Sequence, residues 1–151
     1  MTNDQIPIAR AIATLAHKGQ VDKAGKPYIG HPERVAAIVD VGDPLDEDMI
    51  AAAWLHDTLE DSFFTADDLL AAGITQDVVD TVVAVTRAPD EQPVDYYNRI
   101  KIDGEWAISI KRADIEDNTD PRHLAQLDDA TIVRLVKKYA KALALLDGEE
   151  G

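Results

Sequence analysis

Residues 54–61, Trp54-Leu55-His56-Asp57-Thr58-Leu59-Glu60-Asp61, set one imidazole and three carboxylates within six consecutive positions. Read as a helix, the stretch puts His56 one turn before Glu60 and Asp57 one turn before Asp61, all on one face. Like charges at that spacing repel by roughly 0.2–0.5 kcal/mol per pair even on an exposed helix. A cation removes the penalty. The helical reading also sets the fold class, because the chain on both sides keeps the same period.

Upstream, Ile8, Ala9, Ile12, Leu15 and Ala16 recur at helical spacing within residues 4–18, and a polar loop runs from Gly19 to Gly30. Pro32 marks a first helical position for a helix through Val35, Ile38 and Val39, and Asp43-Pro44 opens the helix that enters the octet. Downstream, Thr65 and Thr75 read as N-caps, the first for a short helix ending at Gly73, the second for a helix bearing Val78, Val82 and Val85. Pro93 opens a helix with Tyr96, Tyr97 and Ile100, and after Gly104 another carries Trp106, Ile110 and Ala113 to Asp114. The alternation in 106–110 also fits a strand, but no second strand candidate exists to pair with it. Ile132, Leu135, Val136, Tyr139, Leu143 and Leu146 form the clearest apolar stripe. The spacing predicts an all-α fold: one domain over 1–151, a helical bundle of about seven or eight helices, frayed over 147–151. Trp54, Trp106 and the valines of 78–85 read as core.

Composition excludes several functions. Without cysteine there are no disulfides, zinc fingers or thiol nucleophiles. No basic stretch leads into an apolar run at the start, and no apolar segment reaches membrane-spanning length, so a soluble, cytoplasmic protein is expected. The formal charge of -14, from 15 Lys+Arg against 29 Asp+Glu, repels nucleic-acid polymers and anionic membranes. A small substrate is expected instead.

Two other places join the octet. His31-Pro32 puts an imidazole at a helix start after a Gly-rich loop, and Lys111-Arg112-Ala113-Asp114 puts a carboxylate on an apolar helix, with Asn118 one turn later. Two imidazoles and two carboxylates from three segments suit Mn²⁺, Fe²⁺ or Zn²⁺ better than Ca²⁺, which prefers oxygen alone. His17 is read as a packing or hydrogen-bonding residue, and His123 as a loop histidine.

Three motifs carry a family resemblance. Ala16-His17-Lys18-Gly19-Gln20 with Gly25-Lys26-Pro27-Tyr28-Ile29-Gly30-His31-Pro32, then Leu55 to Asp61, then Lys111 to Asp114 with Asn118, resemble in order the hydrolase domain of RelA/SpoT-type proteins. The likeness runs from about residue 5 to 146. It implies an all-α HD-domain phosphohydrolase, usually with Mn²⁺, that removes the 3′-pyrophosphate of the alarmones ppGpp and pppGpp. It also implies His31, His56, Asp57 and Asp114 as metal ligands, and Glu60 and Asp61 as the catalytic pair handling the attacking water and its proton. Asn118 is implied at the nucleoside and Lys23 at the phosphates, and Arg87, standing where the family often has Lys, is a further candidate to hold a phosphate bidentately. No synthetase portion is expected, as in the small hydrolase-only members.

Asp22 departs from the family's usual Arg, which is thought to stack on guanine; an Asp offers no planar cation. This departure motivates an alternative, the same chemistry on another phosphorylated nucleotide with a 3′- or 2′-phosphate; a third reading, against which the intact Glu60-Asp61 pair weighs, is a metal-stabilised nucleotide-binding module without turnover.

Overall fold

A computed structural model describes residues 4–42 and 46–148. Ten helical segments follow one another: α1 (Gln5–Ala16), α2 (Gly30–Val39), α3 (Glu47–Leu55), α4 (Thr58–Asp61), α5 (Ala66–Ala71), α6 (Gln76–Val85), α7 (Pro93–Asp103), α8 (Glu105–Asn118), α9 (Pro121–Leu124) and α10 (Asp129–Leu146). Eight have six residues or more; α4 and α9 are single turns. Among the described residues the only β pairing is one isolated bridge, Val21 with Pro27, so 106–110 is helical. The helix start expected at Asp43-Pro44 lies outside the described residues, as does the end of the tail expected to fray.

Local chemistry explains the ends. Thr65 accepts from the Asp68 N–H while the Asp68 carboxylate accepts from the Thr65 N–H, a complete capping box. Thr75 accepts from the Val78 N–H, and Pro93 sits in the first turn of α7, where a missing N–H costs nothing. Gly104 separates α7 from α8 with φ at 122°, a conformation L side chains rarely adopt.

α3 is the central helix. Ala51, Ala52, Ala53 and Leu55 are fully buried, with Ile50 and Trp54 nearly so, because α1, α2, α6 and α8 all pack against it. A helix apolar on every side belongs in the middle of a bundle, and alanines let its neighbours approach closely. Val35, Val78, Val82, Ile100 and Ile110 complete the core. Some expected core positions face outward: Leu15 is 66% exposed, Val83 43% and Val136 46%, while Trp106 is half-buried. Ala13 and Ala142 are buried on the corresponding helices instead. The helical period holds throughout, but the width of each covered face depends on which helices press on it.

Two boundaries differ in ways that matter for the site. α2 begins at Gly30, so His31 lies inside its first turn and Pro32 is third, still where no intrahelical N–H is needed. The octet is not one continuous helix. α3 stops at Leu55, Asp57 takes φ −103° and ψ 0°, and α4 resumes at Thr58. On a regular helix, adjacent His56 and Asp57 would diverge by about 100°. The break lets both aim at one point.

Candidate metal centre

Three segments bring four ligand-type side chains together: His31 from α2, His56 and Asp57 from the α3–α4 junction, and Asp114 from α8. One ligand atom from each lies within 4.8 Å of all the others. His56 Nε2 is 3.2 Å from His31 Nε2, 3.1 Å from Asp57 Oδ2 and 3.3 Å from Asp114 Oδ1. His31 Nε2 is 2.7 Å from Asp114 Oδ1 and 3.6 Å from Asp57 Oδ2.

The other ring nitrogens settle what these atoms offer. His56 Nδ1–H donates to the Ala53 carbonyl at 2.7 Å, and His31 Nδ1–H donates to Asp117 Oδ2 at 2.7 Å. Neither acceptor can donate, so in the neutral rings both Nε2 atoms carry lone pairs, and those converge with two carboxylates. Four electron-pair donors on one point fit a divalent cation, and the mixed nitrogen and oxygen set fits a first-row transition ion. Protonation eases the crowding of these groups in part. Burial alone would lower the His56 pKa, yet Asp57 and Asp114 outweigh it and lift the imidazole well above its usual range. Burial would raise Asp57, but the charge of His56 holds it at about 2.

An outer ring of contacts fixes these groups. Arg34 Nε donates to Asp117 Oδ1 at 2.7 Å, so Asp117 bridges an imidazole and a guanidinium. Such outer partners orient a metal-binding histidine. The Tyr28 hydroxyl donates to Asp57 Oδ2, and its ring packs against His17 and His31. His17 is buried, with Nδ1 2.8 Å from Gln20 Oε1, in the packing role expected of it. Asp114 further accepts from Lys111 Nζ at 3.0 Å and from Asn118 Nδ2 at 3.1 Å. Despite the burial penalty, Lys111 and the two imidazoles keep Asp114 well below its usual pKa.

A cavity of about 420 Å³ opens over the cluster, lined by Glu60, Asp61, Lys23 and Asn118 among others. Glu60 Oε1 accepts from the Arg87 backbone N–H at 2.5 Å. Burial raises the pKa of both Glu60 and Asp61. The Arg87 side chain is not part of this lining: its Nε donates to the Glu91 carbonyl at 2.9 Å, in a separate surface depression. Its loop is pinned by Arg99, which donates to both carboxylate oxygens of Glu91 and to the carbonyls of Val83, Ala84 and Thr86. His123 belongs to the single turn α9 rather than a loop, and also lines the cavity.

Sequence reasoning overlooked Asp117, Arg34 and Lys138. Asp117 had a signal, since it follows Asp114 by three residues on one helix face. Lys138 had none, because the last helix reads from sequence as a core stripe with a solvated back.

A family model described as "HD domain" matches residues 9–143. The chain belongs to this HD-domain family. Among curated proteins, a guanosine-3′,5′-bis(diphosphate) 3′-pyrophosphohydrolase of Haemophilus influenzae is 45% identical over 58 residues, which is 38% of this chain and 8% of the relative. The bifunctional (p)ppGpp synthase/hydrolase SpoT of Escherichia coli is 40% identical over 72 residues, 46% of this chain and 10% of the relative. The matched stretch thus spans only about a tenth of such relatives. A solved structure reported as a metazoan ortholog of SpoT that hydrolyzes ppGpp superposes with a TM-score of 0.76 at 22% identity, over 100% of this chain and 90% of the other. At that identity the superposition speaks for the fold. The resemblance to RelA/SpoT-type proteins and the all-α fold are both borne out.

Proposed function

We propose that this chain is a divalent-metal phosphohydrolase that removes the 3′-pyrophosphate of the guanosine alarmones ppGpp and pppGpp, with Mn²⁺ as the resident ion. The observation that carries the reading is the convergence of two imidazole lone pairs and two carboxylates beneath a cavity whose rim holds a further carboxyl pair. The names of the matched relatives support the substrate. His31, His56, Asp57 and Asp114 would hold the ion, which supplies Lewis acidity toward a phosphoryl oxygen and an acidified water.

The remaining work falls to the chain's own groups. With Oε1 engaged by the Arg87 N–H, Glu60 keeps Oε2 for the proton of the attacking water. Its raised pKa makes it a better base than an exposed carboxylate. Asp61, also raised, orients solvent beside it. Asn118 and Lys23 face the cavity, where the nucleoside and the phosphates would lie. The reading requires a small nucleotide rather than a nucleic-acid polymer, as the formal charge of -14 favours. No helix among the described residues is long and apolar enough to cross a membrane.

One observation favours a second reading, in which the same chemistry acts on a different 3′- or 2′-phosphorylated nucleotide. The Asp22 side chain lines the cavity, and its Oδ1 is engaged by the N–H groups of Ala24 and Lys26, at 2.9 and 3.0 Å. A nucleotide panel incubated with Mn²⁺, with and without chelator, separates the two. Chelator-sensitive release of pyrophosphate from ppGpp is expected; turnover of other nucleotides with none of ppGpp would favour the second. Glu60→Gln should lower kcat by about 10²–10⁴ with metal content unchanged. Pyrophosphate release equal to wild type in that variant would remove Glu60 from the mechanism, and no turnover of any nucleotide would leave a binding module.

A further inference from the structure

The motif Ala16-His17-Lys18-Gly19-Gln20 supplies no group to the metal centre or to the proposed reaction, yet it reaches the turn that carries Glu60 and Asp61. α4 is four residues long and is interrupted on both sides, by Asp57 before it and by extended backbone at Ser62 after it. A single helical turn closes too few hydrogen bonds to hold its own shape, and its last carbonyls find no partner within it. Contacts from outside must therefore set its direction. Gln20, just past α1 and 41 residues away, supplies one: its Nε2 donates to the Asp61 carbonyl at 2.7 Å. The Arg87 N–H supplies another, at the Glu60 carboxylate.

The Gln20 amide is itself held one way round. The Ala16 carbonyl lies 3.3 Å from the same Nε2, so the amide oxygen points away from both carbonyls, at the imidazole of His17. His17 Nδ1 is 2.8 Å from that oxygen and so carries the proton. The opposite nitrogen, Nε2, is buried without a hydrogen-bond partner among the described residues. An apolar side chain would fill this space with no lone pair left unsatisfied, so packing alone does not account for a histidine here. Its Nδ1–H does, because that donor rejects the flipped amide, which would turn an oxygen towards the Asp61 carbonyl.

We propose that Gln20, oriented by His17, is a positioning residue that holds α4 so that Glu60 and Asp61 face the cavity over the metal centre. The proposal rests on the reaction proposed above for the role of that pair, but the hold on α4 does not depend on turnover.

The test uses the Mn²⁺-loaded protein with ppGpp. Gln20→Met keeps the length of the side chain without its donor, and should lower kcat roughly tenfold with KM and metal affinity within about twofold. His17→Leu should do the same, whereas His17→Asn, whose amide N–H can stand in for Nδ1–H, should recover most of the rate. Gln20 is half-buried, so its variant decides the matter even where His17→Leu fails to fold. In a Glu60→Gln background, Gln20→Met should cost nothing further. Hydrogen exchange at the Asp61 amide, which donates to the Asp57 carbonyl within the turn, should speed up roughly tenfold in Gln20→Met, with α3 and α8 unchanged. If ppGpp is not turned over, the proposed reaction falls and the exchange at α4 decides alone. Unchanged kcat and exchange, a loss that persists in the Glu60→Gln background, weakened metal binding, or His17→Asn no better than His17→Leu overturns the proposal.

Discussion

The centre and the rim of the cavity are built by opposite strategies. At the centre every group has several partners. Asp114 touches His31, His56, Lys111 and Asn118, and His31 is gripped at both nitrogens. These residues sit on α2, α8 and the end of α3, the helices that also carry the core, so a shift in one of them must displace packed side chains. The loop of the rim is held by its own short-range bonds: Asp22 N–H to the Lys26 carbonyl, Gly25 N–H to the Asp22 carbonyl, and the Asp22 carboxylate to two further N–H groups. Lys23 projects from it, exposed. The four clustered side chains are thus tied to the fold, whereas the rim beside them is a loop that can change residue by residue without disturbing it.

The comparison breaks most sharply at Asp114. Asp114→Ala should abolish stoichiometric metal binding and reduce turnover to the uncatalysed rate. It should also cost the stabilisation that metal provides, about 2.7–4.1 kcal/mol at 100–1,000 times Kd, read as lost metal dependence of Tm. Metal-to-protein stoichiometry near one in that variant would show that the centre is not interlocked as described. A smaller effect is expected one contact further out. Asp117→Ala leaves all four ligands but frees His31 Nδ1 and Arg34, and should weaken metal binding about 10–100-fold by competition with a chelating dye. An unchanged affinity would make the outer ring dispensable.

At the rim the expected effect is smaller still and of a different kind. Asp22→Asn keeps an acceptor for the Ala24 and Lys26 N–H groups while removing a negative charge from the cavity. Metal affinity and Tm should stay as in wild type, while KM for phosphorylated nucleotides falls about two- to fivefold, the equivalent of roughly 0.5–1 kcal/mol. A change in metal affinity there would mean that loop and centre are coupled after all.

Much of the centre was legible in advance because its chemistry is concentrated in short motifs. His56, Asp57, Glu60 and Asp61 share one octet, and the other two members of the cluster, His31 and Asp114, stand beside recognisable helix signals at Pro32 and along 106–113. What escaped was long-range by nature. The pairing of His31 with Asp117 spans 86 residues and the bond from Arg87 N–H to Glu60 spans 27, and no periodicity encodes either. Arg87 illustrates the converse. Its place in the chain suggested a phosphate contact, but the loop that Arg99 pins leaves its backbone, not its guanidinium, next to the catalytic candidate.

By itself, the sequence determined the helical period, the caps at Thr65 and Thr75 and the inventory of donor atoms, because these depend on residue type and on neighbours within a turn. The tertiary structure decided where that inventory points. It broke the octet after Leu55, so that His56 and Asp57 face one spot, and it turned both imidazoles by giving each Nδ1–H an acceptor. It also brought Lys138 of the last helix to the same cavity that Lys23 lines. Direction in space comes from packing between helices far apart in the chain, and only the assembled core supplies it.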